Sequence, residues 1–363
     1  MDATNYKLGL KEFISIAIIT VGIALSDDTP SIVFQQTKTA GWMQPIFSAL
    51  FLIIPLILLF KVIRHFETDD FCLIIKQILG KYIGTIIIAF LWLLLSVRII
   101  IESAIYTNIV ETMFYPNTPT TVIYFTLLLI ASYIAYKGIV HIGSVSWLLL
   151  AMIKISLGIA LALGMIHGHI QFLLPIFGGG EAVVLKEGFL KTSVYLDLLF
   201  LCFIIPQMKS KLDFPKGVWI SFIVITIELV IAFAIFIAFF DYQTVVLQNY
   251  PYMEILRFIH LGFLSNMESF FFPFWLMGTF IRFGFYLYLQ LYFIKKLFHI
   301  EDVKHIIPAL AFFTMLLGLL PSSPQYNLFD IKTAILHIAS PILMIFPILL
   351  WFISWIKGEF KLE

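Results

Sequence analysis

The chain has 363 residues, of which 61% are apolar and only 12% charged, with 38 Phe, a formal net charge of +1 and a mean hydropathy of +1.01. A soluble domain carries roughly twice that share of charge, and a near-neutral chain is poorly suited to nucleic acid. The two cysteines, Cys72 and Cys202, are too few for a disulfide framework or a Cys-based metal site.

Apolar runs recur along the whole length, so the expected fold class is an all-α polytopic membrane protein. A barrel would instead show short alternating segments. The first residues carry Asp2, Lys7, Lys11 and Glu12 before a long apolar run without a small-residue cleavage site, which does not match a signal peptide. Ten transmembrane helices are expected, near 10–28 (continuing towards Gln36), 42–60, 83–112, 119–137, 141–164, 189–208, 217–240, 266–296, 304–321 and 332–356. With a cytoplasmic N-terminus, the inner loops collect most of the Lys and Arg, including Lys61, Arg64, Lys209, Lys211 and Lys216. The outer side collects only Lys38, Lys186, Lys191, Arg257 and Lys332, so both termini are expected in the cytoplasm.

The pattern of elements repeats. Residues 1–165 give two spans, a polar segment, a very long span and two more, and residues 185–357 follow the same order. The polar segments are Asp69 to Tyr82 and Tyr250 to Leu264, each read as a short amphipathic helix at an interface. The third and eighth spans, about 30 residues each, reach about 45 Å and must tilt or protrude. Five spans per repeat is odd, so the second repeat enters the membrane upside down: a 5+5 inverted repeat within one transmembrane domain, 1–363. Inverted repeats with a site at their interface are a transporter plan.

The stretch from Val21 to Pro30 is the least suited to lipid. Gly22, Ala24, Ser26, Asp27, Asp28 and Pro30 interrupt an apolar passage. A charge near the bilayer centre costs about 2.5–3.5 kcal/mol or more, and freed peptide groups need partners inside protein. The helix is therefore expected to break here, its loosened backbone facing a ligand; the alternative is that it simply leaves the membrane at Ser26. The counterpart in the second repeat, Thr192 to Pro206, contains Asp197 and a proline but no glycine, so a bend rather than an unwound break is expected.

Further charges lie within the spans. Arg98 and Glu102 share one helix face at i, i+4, either as a self-satisfied pair or reaching the site beside Gly22. Lys154 stands alone in the fifth span and needs an acid or carbonyls, with Asp27, Asp28 and Asp197 as candidates. Glu228 and Arg282 face the same need and are expected to pair with each other across helices. Phe200 and Trp275 are candidates to wall an apolar pocket. His167 and His169 are read as loop residues, and no P-loop, nucleophile elbow, HExxH or redox motif is present. No enzyme activity, cofactor or metal is expected.

The tract Gly22 to Pro30, with the following Phe34 to Pro45, the tract Glu268 to Tyr288, and the Leu320-Pro321-Ser322-Ser323-Pro324 turn with Asn327 together resemble a known family. It is that of the B subunits of bacterial spore germinant receptors, the endospore germination permeases, within the amino acid–polyamine–organocation transporter superfamily. That superfamily's first helix usually carries G-x-G, and here Ala24 stands at the second glycine. The resemblance implies a leucine-transporter-like fold and sensing of small nutrients, amino acids or sugars, at the spore inner membrane. It also implies A and C receptor subunits as partners and, by likeness to sodium-independent relatives, a coupling role for Lys154 docked on carbonyls near Gly22 and Asp27. The ligand set expected is Gly22, Ala24, Ser26, Asp27, Asp28, Arg98, Glu102, Asp197, Phe200 and Trp275. The competing reading is a proton-coupled amino acid transporter of the same superfamily.

Overall fold

The computed structural model describes residues 7–258, 267–321 and 324–360. The apolar run from Leu10 forms α1 (Leu10–Gly22), which stops at the glycine and continues as a tight 3₁₀ turn over Ile23–Ser26. Asp27 is extended, and α2 (Thr29–Thr37) then restarts with Pro30 in its first turn, where a missing N–H costs nothing. The predicted interruption is therefore present. A 3₁₀ segment, Lys38–Met43, leads into α3 (Gln44–His65).

The polar segment after α3 forms α4 (Phe71–Leu79). Asp70 caps it by accepting from the Cys72 backbone N–H at 3.0 Å, and the helix buries Phe71, Ile74, Ile75 and Ile78 on one face. The long helix α5 (Lys81–Met113) follows, then α6 (Thr120–Lys137) and α7 (Ile139–Ile166). Gly80 and Gly138 make the two tightest connections at φ +84° and +86°, a region glycine enters freely.

Beyond α8 (Glu181–Leu190), the second Asp-bearing passage is helical from Thr192 to Gln207 but changes winding: 3₁₀ over Thr192–Tyr195, the single α turn α9 (Asp197–Phe200), then 3₁₀ over Leu201–Gln207. It tightens rather than unwinds, as the missing glycine implies. Its residues from Thr192 to Ile205 are all buried, so protein surrounds it on every side. The remaining elements are α10 (Asp213–Phe240), α11 (Tyr242–Leu247), α12 (Pro251–Phe258), α13 (Met267–Phe298), α14 (Ile307–Gly318) and α15 (Pro324–Ile356). The second predicted polar segment is α12 as far as Phe258; its remainder, like Ser322 and Ser323, lies outside the described residues.

Eight of the described helical stretches are long and apolar enough to cross a membrane, and the stretch Lys304–Gly318 is shorter. Two of the eight run through interruptions, Thr29–His65 and Glu181–Gln207. With these helices the chain is a multi-pass membrane protein. The core is built where α1 packs on α7, α10 and α13, where α3 packs on α8 and α15, and where α5 meets α13, α14 and α15. At one end, Leu8 and Met208 form a parallel bridge: the Leu8 N–H donates to Gln207 O and the Lys209 N–H to Leu8 O, each at 2.8 Å. Lys211 is held beside it, its ammonium donating to the carbonyls of Phe66 (2.5 Å) and Thr68 (2.8 Å).

Candidate functional site

The break between α1 and α2 is the centre of a buried polar assembly. Thr29 N–H donates to Asp27 Oδ1 at 2.8 Å, turning the chain through the aspartate pair. The carbonyl of Ile23, released from the α1 ladder, accepts from Ser26 Oγ at 2.6 Å and from the Tyr106 hydroxyl at 3.0 Å. Trp275 donates its indole N–H to Ser26 Oγ at 2.8 Å and stacks on Tyr106, with ring centroids 5.4 Å apart and planes 6° from parallel. The freed Ile23 carbonyl thus has a side-chain partner from α5 and Ser26 one from α13, as burial of polar groups demands.

Around this turn the acids and bases of four passages form one connected network. On α5, Arg98 Nε donates to Glu102 Oε1 at 2.8 Å, and Arg98 Nη1 lies 3.1 Å from Asp197 Oδ1 on α9. On α13, Arg282 Nη2 lies 2.6 Å from Glu102 Oε2, Nη1 donates to the Tyr106 hydroxyl at 2.8 Å and sits 4.0 Å from Asp27 Oδ2. The Tyr286 hydroxyl accepts from Arg282 Nε at 3.0 Å and donates to both Asp197 oxygens, 2.9 Å away. From α15, Lys332 Nζ lies 2.9 Å from Asp27 Oδ2 and pairs with Asp28 Oδ1. All seven charged groups are buried, and Asp27, Asp28, Asp197 and Arg282 are wholly so.

Beside the break lies a cleft of about 40 Å³ lined by Gly22, Ile23, Ser26, Lys154, Glu228 and Trp275. A Cβ on Gly22 would come within 3.1 Å of both Lys154 Nζ and Glu228 Oε1, so glycine permits the approach of that pair. A second cleft of about 20 Å³ is lined by Arg98, Glu102, Ser193 and Lys332, among others. These volumes hold one or a few water-sized groups, well below the several hundred Å³ of a site that encloses a small molecule. The centre as it stands is filled by its own side chains.

The break, both aspartates, Arg98, Glu102, Asp197 and Trp275 thus come together, with Ser26 and Gly22 against them. Ala24 is buried within the 3₁₀ turn. Phe200 packs edge-on against Phe293 at 6.5 Å, rather than walling either cleft.

Two pairings differ from the sequence reading. Lys154 stands beside Gly22, but its ammonium bonds the Glu228 carboxylate at 2.5 and 2.7 Å rather than backbone carbonyls or Asp27, Asp28 or Asp197. An ammonium near the membrane centre gains more from a full carboxylate than from neutral dipoles, and α10 packs against α7. Glu228 is therefore unavailable to Arg282, which pairs with Glu102 instead. Lys332, read as an outer-loop charge, is buried on Asp27 and Asp28. Lys191, placed in the same outer set, is buried too: its ammonium lies 2.8 Å from Glu187 and donates to the Ile32 carbonyl of α2 at 2.9 Å. Sequence reasoning missed Lys332, Tyr106 and Tyr286; a surplus of acids over bases within the spans is the signal that could have pointed to Lys332.

Long apolar helices around a discontinuous helix with a buried, charged centre define a multi-pass membrane protein. The model of the spore germination protein family matches residues 10–327, and the chain belongs to that family. It is similar to spore germination protein YndE of Bacillus subtilis (strain 168), 26% identical over 343 residues covering 91% of this chain and 92% of that protein. It is also similar to spore germination protein XB of Bacillus anthracis, 23% identical over 258 residues (68% of this chain, 70% of that protein). Spore germination protein KB of Bacillus subtilis (strain 168) is 21% identical over 254 residues, 68% of each chain.

Proposed function

We propose that this chain is the nutrient-sensing membrane subunit of a spore germinant receptor, binding a small amino acid or sugar at the interrupted first passage and the Asp197 passage. The observation that carries this is the buried break from Ile23 to Asp28, whose freed groups are held by removable side chains from α5, α13 and α15. An isolated structural helix has no use for such a turn. Membership of the spore germination family supports the receptor role. Ten membrane passages are read here, with α1 and α14 as the two short ones, in a 5+5 inverted repeat with a leucine-transporter-like fold.

The packing supports that repeat, because exchanging the halves maps contacts onto contacts. The α1–α7 contact has its partner in the Thr192–Tyr195 turn on α15, α13–α7 in α5–α15, and α13–α6 in α5–α14. The charges follow the same exchange: Arg98 reaches Asp197 as Arg282 reaches Asp27. Localisation in the spore inner membrane with cytoplasmic termini, and assembly with A and C receptor subunits, complete the proposal. Ligand binding shifts the population of a rocking conformer by as much as its affinity differs between states.

Gly22→Leu is the test. It forces a side chain into Lys154 and Glu228 and should abolish nutrient-triggered germination while the protein stays in the membrane. A normal dose response would refute the site. The Lys154–Glu228 pair beside the cleft favours a second reading, proton-coupled transport of amino acids. Uptake of labelled amino acid by the protein alone in liposomes would select it, and co-purification with two further subunits would select the receptor.

A further inference from the structure

The buried network does not balance. Asp27, Asp28, Glu102 and Asp197 supply four carboxylates, against Arg98, Arg282 and Lys332, so the formal charge of the centre is −1. The neighbouring Lys154–Glu228 pair is neutral and shifts nothing. The surplus has a location. Asp28 is wholly buried, Lys332 takes its Oδ1, and its Oδ2 has no hydrogen-bond partner among the described residues. The Tyr250 hydroxyl is committed to Asn108 Oδ1 at 2.7 Å. A net charge enclosed in a low-dielectric interior is costly unless a countercharge joins it.

We propose that the centre recognises a ligand of net charge +1, a primary ammonium without a balancing carboxylate, whose N–H groups complete Asp28 Oδ2. The inference rests on reading the break as the ligand site; within that reading it replaces the free amino acid or sugar with an amino-acid derivative whose carboxylate is masked. A sugar brings no charge, and a zwitterionic amino acid brings a carboxylate that restores the deficit. A monocationic amine brings the centre to neutrality. The small cleft that opens on Arg98, Glu102 and Lys332 reaches the lysine that holds Asp28 Oδ1 and has the space of a water, so the head group meets Asp28 as Lys332 shifts.

The test uses the full chain in lipid nanodiscs at pH 6.5 and three probes of one shape: L-alaninamide (+1), L-alanine (zwitterion) and lactamide (neutral). Calorimetry should give alaninamide an affinity at least roughly tenfold above both others, the equivalent of one unit of charge–charge preference. Asp28→Asn, which neutralises the centre, should erase that preference. Asp28→Glu should keep it, which separates loss of charge from loss of structure. Equal affinities overturn the proposal, as does no saturable binding of any probe. Tighter binding of alanine accompanied by uptake of one proton, read from its dependence on buffer ionisation heat, also overturns it, because the countercharge is then a proton. Gly22→Leu keeps the two readings apart. Binding abolished by Gly22→Leu but indifferent to probe charge sinks only the ligand class, whereas binding untouched by Gly22→Leu sinks the site.

Discussion

Replacing Arg282 with methionine tests whether the buried network is one unit. Arg282 is wholly enclosed and serves Glu102 at 2.6 Å, the Tyr106 hydroxyl at 2.8 Å, the Tyr286 hydroxyl at 3.0 Å and Asp27 at 4.0 Å. Methionine keeps the apolar stem but removes the guanidinium and its charge, leaving four acids facing Arg98 and Lys332. Removing one partner of a buried pair costs about 3–5 kcal/mol, mostly the desolvated charge left behind. Adding Glu102→Gln to Arg282→Met returns the centre to its original surplus of one. The double variant should therefore lose less than the sum of the single losses, by about 1–3 kcal/mol. The assay is unfolding of the full chain in detergent micelles followed by its tryptophan fluorescence, with all four proteins compared under one condition. Additive losses would show that Arg282 and Glu102 contribute independently, and the idea of a single electrostatic unit would fail.

Further outcomes follow from other contacts. Lys154→Met should lower stability by about 1–3 kcal/mol through an unpaired Glu228 carboxylate, and Lys154→Met/Glu228→Gln should recover most of it, as read from melting curves. Asp70→Ala removes the α4 cap, worth about 1 kcal/mol, and strips Lys296 and the Tyr292 hydroxyl of their acceptor; amide exchange along α4 should quicken. Burial, with Asp70 close by, pushes the Cys72 thiol up to about 12. Thiolate is the reactive form, so maleimide labelling of Cys72 should stay slow from pH 7 through 9 in the folded protein and become fast on denaturation. Rapid labelling in the native state would contradict its placement.

Much of the centre was legible because its residues offend the membrane. Gly22, Asp27, Asp28 and Pro30 have no cheap place in lipid, so the break and its burial could be read from composition alone. The i, i+4 spacing put Arg98 and Glu102 on one face. Partner choice was not legible, because it depends on which helices touch. Glu228 meets Lys154 since α10 packs on α7, and no spacing within a single helix encodes that. Lys332 was misplaced for a related reason: a lysine near the start of a span reads as a loop charge until the neighbouring turn is known to present two carboxylates. Tyr106 and Tyr286 were invisible among so many aromatics, and only their hydroxyl partners set them apart.

The cross-helix pairing bears on how the chain is made. Residues 1–165 contribute Asp27, Asp28 and Glu102 to the centre but only Arg98 to offset them, while Arg282 and Lys332 come from the last third of the chain. During synthesis the early passages must wait with unmatched carboxylates, protonated or in contact with water, until α13 and finally α15 arrive. Insertion of the last helix then acts as the locking step, and a protein truncated before Lys332 should be held as a substrate for membrane quality control. Supplied in trans, a fragment bearing α13 and α15 should rescue its abundance.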